Sequence, residues 1–84
     1  MPLFMDVHET LPDGAGSDDL AAAHAADVKI QDKYKVRYLK YWLDQAQGKA
    51  FCLVEAPDAQ AAITVHREAH GLVADRIHQV SEGA

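Results

Sequence analysis

The spacing of hydrophobic and polar positions divides the first half of the chain into three segments. Residues 3–8, LFMDVH, alternate with a period of two, which predicts a strand with Leu3, Met5 and Val7 on one side. Residues 10–16 are rich in proline and glycine and predict a loop. Helical spacing then begins at Ser17, the expected N-cap, and continues to about Tyr34.

The second half of the chain repeats this order with one additional strand. Residues 36–44 and 49–55 are rich in aromatic and bulky aliphatic side chains and predict two strands joined by a hairpin turn. A second helix is predicted from Asp58, its N-cap, to Gly71 just past its end. Residues 72–80 predict the last strand.

The resulting order, β-α-β-β-α-β, predicts a single α+β domain over residues 1–84 with a ferredoxin-like fold. Right-handed crossovers give an antiparallel sheet with both helices on one face. The strands are apolar on both sides, and Phe4, Tyr38 and Trp42 are expected on the face without helices. Because such a patch is large, we expect a homodimer of the dimeric α+β barrel type.

One acid interrupts the apolar side of the first helix, and two histidines stand one turn apart near the end of the second. Asp27 is that acid, and His66 and His70 are the pair. In this topology the helices run antiparallel, so these residues meet at one end of the domain with His24 and His8. Imidazole and carboxylate ligands suit nickel, zinc or copper, so the pattern predicts a divalent-metal site.

Simpler interpretations exist for each of these residues. The histidine pair can interact with the helix dipole, and Asp27 can accept a hydrogen bond from the backbone or from Tyr34. His8 and His24 can be ordinary strand and helix residues. Cys52, within FCLV, can be a small core residue. The string HREAH differs from the HExxH metalloprotease motif, which excludes that class.

Composition and charge exclude several further classes. The net charge is −5, from 13 acidic and 8 basic residues, without a basic stripe, so nucleic-acid binding is not expected. No apolar run is long enough to span a membrane, and the N-terminal residues do not resemble a signal peptide. A single cysteine excludes an internal disulfide and favours a reducing compartment, the cytoplasm.

Several strings together resemble one known family: MPLFMDVHE, AAAHAADVKIQDKY, FCLVEAP and VHREAHGLVAD. It is a bacterial family of small proteins, long labelled a domain of unknown function, whose described member is nickel-binding and nickel-responsive. The resemblance implies a ferredoxin-like homodimer with nickel at the dimer surface, and a role in sequestration or detoxification. Lys35 departs from the family pattern, which has glycine after KY. The matching polar positions are His8, His24, Asp27, Cys52, His66 and His70.

Two functional hypotheses follow from these observations. In the first, a dimer binds nickel or another divalent metal through His66 and His70, with His24, Asp27 or His8 completing the site, and catalyses no reaction. In the second, the protein is an enzyme or carrier for a small organic molecule, with a barrel cavity lined by His8, Trp42 and Cys52.

Overall fold

The computed structural model describes residues 1–83 and confirms the β-α-β-β-α-β order. The elements are β1 (Leu3–His8), α1 (Ser17–Ile30), a 3₁₀ turn (Gln31–Tyr34), β2 (Arg37–Asp44), β3 (Lys49–Glu55), α2 (Ala59–Ala69) and β4 (Arg76–Val80). The sheet has four antiparallel strands in the order β2-β3-β1-β4, the arrangement of a ferredoxin-like α+β fold. Within the described residues no helix is long and apolar enough to cross a membrane.

The first helix starts one residue earlier than predicted. Gly16, not Ser17, is its N-cap, and the Gly16 N–H donates to the Asp19 carboxylate at 2.9 Å. The α-helix ends at Ile30, and the chain tightens into the 3₁₀ turn through Tyr34. Lys35 then adopts a left-handed conformation (φ 59°), which explains why glycine suits this position.

The second helix has the predicted ends, but the last strand is shorter than predicted. The Asp58 carboxylate accepts the Ala61 N–H, and Gly71, at φ 79°, donates its N–H to the carbonyl of His66. The prediction of a strand over residues 72–80 is wrong for its first four positions. β4 begins only at Arg76, because the paired strand β1 ends nearby at His8.

The buried face of β1 is the opposite of the one that polarity predicts. Phe4, Asp6 and His8 are buried beneath the helices, whereas Leu3 and Met5 lie on the open face of the sheet. The prediction that Phe4 lies on the open face is therefore wrong. The physical reason is that Asp6 and His8 have charged and polar partners in the interior, and these offset the cost of their desolvation.

A β-bulge in β2 explains why the prediction that Tyr38 lies on the open face of the sheet is also wrong. Tyr38 pairs with Val54 and Lys40 with Leu53, so Leu39 has no partner and the strand changes its alternation there. Tyr38, predicted on the open face, is 5% exposed in the core, whereas Trp42 beyond the bulge is 47% exposed on the open face, as predicted.

The hydrophobic core lies between the sheet and the helices. Its buried members include Phe4, Val36, Tyr38, Val54, Ala62 and Val65. Four polar residues are buried beside this core: Asp6, His8, Asp27 and His66. A fully buried carboxylate or imidazole requires partners, so these four residues define the candidate site.

Candidate metal centre

His66 is the centre of the buried polar cluster. It is 2% exposed, because α2 directs it inward together with Ala62 and Val65. Its Nδ1 lies 2.9 Å from Asp27 Oδ1 on α1, and its Nε2 lies 2.9 Å from Asp6 Oδ2 on β1. Its ring stacks on Tyr38 with the centroids 4.4 Å apart. His66 therefore joins both helices and the sheet in one network.

Asp27 connects His66 to His70 on the outer side of the cluster. Its Oδ1 lies 3.1 Å and its Oδ2 3.3 Å from His70 Nε2. His70 is the C-cap of α2, and its Nδ1 accepts the Leu72 N–H at 3.1 Å. Both ring nitrogens of His70 thus have partners. Asp27 does not bond to Tyr34, whose hydroxyl donates to Glu68 instead, so that interpretation of Asp27 is wrong.

Asp6 connects His66 to His8 on the inner side of the cluster. Its Oδ1 lies 3.4 Å from His8 Nε2, and the Tyr38 hydroxyl lies 3.1 Å from its Oδ2. Two atoms here lack a correctly aligned hydrogen bond among the described residues: Asp6 Oδ1 and His66 Nε2. The short distance from His66 Nε2 to Asp6 is therefore an electrostatic contact without hydrogen-bond alignment.

The charges of the cluster shift the pKa values of its members in opposite directions. Burial alone would raise the pKa of both carboxyl groups, but the neighbouring histidines outweigh it and hold the pKa of Asp6 and Asp27 below the ordinary value. Burial would likewise lower the pKa of the histidines. Asp6 and Cys52 instead raise the pKa of His8 to about 9, and Asp27, Asp6 and Cys52 raise that of His66 to about 11. A metal ion at these nitrogens therefore has to displace protons.

The donor atoms form two groups compact enough to surround one ion each. The outer set is Asp27, His66 and His70, and the inner set is Asp6, His8, Cys52 and His66. Within each set one donor atom per residue lies within 4.8 Å of the others. Neighbouring ligands of one ion are about 3.0–3.4 Å apart when the metal–ligand bonds are about 2.1 Å long. The nitrogen–oxygen separations of 2.9–3.4 Å in the cluster resemble this spacing, so the residues present fit a divalent cation.

A small cavity lies between the two sets. Its volume is about 40 Å³, and its lining includes His8, Asp27, Cys52 and His66. This space is enough for an ion or a water molecule and far below the size of a pocket for an organic ligand. His70 also borders an open cleft of about 480 Å³. The outer set thus lies beside the protein surface.

The structure brings most of the predicted site residues together. His8, Asp27, His66 and His70 belong to the donor sets. His24 borders the small cavity and packs against Tyr41 with ring centroids 5.1 Å apart, but it belongs to neither set.

Sequence reasoning missed Asp6, and it treated Cys52 mainly as a core residue. A signal for Asp6 was present, because it shares one side of β1 with His8 at a spacing of two. Cys52 pairs directly with Asp6 across the sheet, a register that only the fold reveals. Trp42 lies on the opposite face, so the predicted cavity lined by His8, Trp42 and Cys52 is wrong.

Comparison with known proteins identifies the family. A family model described as "Nickel responsive protein SCO4226-like" matches residues 4–80. The crystal structure of SCO4226 from Streptomyces coelicolor A3(2) superposes with a TM-score of 0.89 at 41% sequence identity, covering 98% of this chain and 99% of that one. No curated protein matches the chain. The chain therefore belongs to the SCO4226-like family of nickel-responsive proteins.

Proposed function

We propose that the protein binds Ni²⁺ at the buried histidine–carboxylate cluster, with Asp27, His66 and His70 as its ligands. His8 and His24 border this position and contribute to its affinity. Imidazole and carboxylate are ligand types that nickel accepts, and the nickel-responsive family supports nickel among the divalent metals.

The observation that carries this proposal is the burial of two carboxylates around one histidine. Asp6 is 1% and Asp27 2% exposed, and both lie 2.9 Å from nitrogens of His66. Replacing such an ionic cluster with well-packed apolar residues is often neutral or stabilising, so stability alone is a weak reason for it. A cation-binding role gives the cluster a function.

We further propose sequestration of nickel in the cytoplasm by a homodimer, rather than catalysis. The exposed Trp42 and its neighbours on the open sheet face support an interface there, because they form an apolar surface without cover from the helices. The cavity of about 40 Å³ at the cluster has room for an ion and too little room for an organic substrate.

Calorimetry with Ni²⁺ on protein purified without a histidine tag tests the proposal. We expect His70→Ala to weaken nickel binding at least tenfold and His66→Ala combined with His70→Ala to abolish it. His78→Ala is the matched control, because His78 is an exposed histidine on β4 and belongs to neither set. Unchanged nickel binding by the folded double variant would show that the ligand assignment is wrong.

A further inference from the structure

We propose that the inner set, Asp6, His8, Cys52 and His66, is a second metal position, which binds a divalent cation with affinity for sulfur, such as Zn²⁺. It differs from the nickel position by its thiol and its depth. The two positions share His66 alone.

The first argument is the location of the unsatisfied atoms. Among residues 1–83, the buried side-chain nitrogen and oxygen atoms without a hydrogen-bond partner are Asp6 Oδ1 and His66 Nε2. Both belong to the inner set, and both residues are at most 2% exposed. Leaving a buried polar atom unsatisfied costs about 1–3 kcal/mol, and a bound cation would satisfy both atoms.

The second argument is that hydrogen bonds from outside the set already orient its ligands. Nδ1 of His66 lies 2.9 Å from Asp27 Oδ1, and this contact orients the ring so that Nε2 points into the inner set, 2.9 Å from Asp6 Oδ2. The Tyr38 hydroxyl, 3.1 Å from Asp6 Oδ2, holds that carboxylate. Carboxylate support of this kind is typical of metal-binding histidines. By contrast, both ring nitrogens of His70 in the outer set are engaged.

The third argument is the chemistry of the four donors. Asp6 pairs directly with Cys52 across the sheet, and His8 follows Asp6 on the same face. His66 closes the set from α2. One sulfur, two imidazole nitrogens and one carboxylate oxygen form a four-donor set of the kind that zinc prefers. The adjacent cavity of about 40 Å³ provides room for one ion.

Binding at this position exchanges protons for the metal. The thiol of Cys52 and any protonated histidine release protons to solvent, and the cation takes their place without any change of oxidation state. Because His66 is shared, filling the inner position leaves the outer one to Asp27 and His70.

The test uses Co²⁺ and Zn²⁺ on the metal-free, untagged chain. Co²⁺ bound to a thiolate gives a near-ultraviolet charge-transfer band. We expect this band in wild-type protein and in His70→Ala, its loss in Cys52→Ala, and its displacement by Zn²⁺. His78→Ala is the control and should retain the band. In wild-type protein we also expect Zn²⁺ to slow alkylation of Cys52 at least tenfold.

The outcomes separate this proposal from the nickel proposal. Absence of the band in wild-type protein, with alkylation of Cys52 equally fast with and without Zn²⁺, would overturn the inner position even if His70→Ala impairs nickel binding. A Cys52-dependent band with unchanged nickel binding in His70→Ala would support the inner position and refute the outer ligand assignment. The alkylation measurement needs no variant, so it decides the question even if Cys52→Ala does not fold.

Discussion

Replacing Asp27 with asparagine should destabilise the metal-free protein by about 3 kcal/mol. The carboxylate is 2% exposed and contacts His66 at 2.9 Å and His70 at 3.1 Å. Each hydrogen bond to a charged group contributes about 1.5–3 kcal/mol, so the two contacts contribute about 3–6 kcal/mol; asparagine retains one oxygen acceptor and loses about half of this, about 1.5–3 kcal/mol. Removing one partner of a buried ion pair costs about 3–5 kcal/mol, and about 3 kcal/mol is the value at which the two ranges meet.

The effect of Asp27→Asn should depend on pH in a defined direction. The pKa of Asp27 is lowered from 3.8, so its stabilisation is present above about pH 4 and lost as the pH falls. The pKa of His66 is raised from 6.5 to about 11, so its stabilisation is complete below pH 6.5 and lost as the pH rises toward 11. The difference between wild type and variant should therefore be largest between about pH 4 and 6.5 and smaller at pH 9 to 10.

Urea unfolding at fixed protein concentration, with a chelator present, measures this difference. Thermal unfolding at pH 6 should show a decrease of about 12–24 °C in Tm for a domain of this size. Asp32→Asn is the control, because Asp32 is exposed in the 3₁₀ turn and its replacement should change stability by less than about 0.5 kcal/mol. Equal stabilities of Asp27→Asn and wild type at pH 6, or a difference that grows at pH 9, would refute the charge network described above.

Four further predictions concern other parts of the molecule. Tyr38→Phe removes the hydroxyl that contacts Asp6 and should lower the free energy of unfolding by about 1–2 kcal/mol in denaturant titrations. Lys35→Gly should raise it by up to about 1 kcal/mol, because φ is 59° there; a loss would show that the Lys35 side chain matters more than its backbone strain. Trp42→Lys should shift the proposed homodimer toward the monomer in sedimentation, whereas a dimer that persists unchanged would place its interface elsewhere. For each proton that nickel displaces on binding, the nickel affinity should fall about tenfold when the pH is lowered by one unit. Calorimetry in buffers of different ionisation enthalpy would count the displaced protons.

The order of the elements could be predicted from the sequence because local signals agree with the fold. Alternation over residues 3–8, the N-cap at Asp58 and the positive φ at Gly71 each depend on nearby residues. Asp27 and the pair of histidines one turn apart were also visible, since they interrupt regular helical patterns.

The details of the site could not be predicted because they depend on contacts between distant segments. The alternation of polar and apolar residues in β1 predicts Asp6 on the open face of the sheet, with Phe4. The structure buries Asp6 instead, because its contacts with His66 and Tyr38 make this burial favourable. The bulge at Leu39 has no local sequence signal, and neither does the register that places Cys52 opposite Asp6. Together these features decide which metal-ligand side chains lie close to one another.

The unpaired Leu39 decides which side chains of β2 face the histidines. If Leu39 paired with Leu53 in regular register, every later residue would shift by one position, so that Tyr41 would turn outward and Trp42 inward toward the histidines. The side chain of Leu39 itself is partly exposed and touches neither donor set, so many replacements there should be harmless. Loss of the bulge with all residues of β2 retained would thus damage the interior chemistry more than almost any exchange of side chains along the same strand, whereas deletion of Leu39 itself would leave Tyr41 and Trp42 on their present faces.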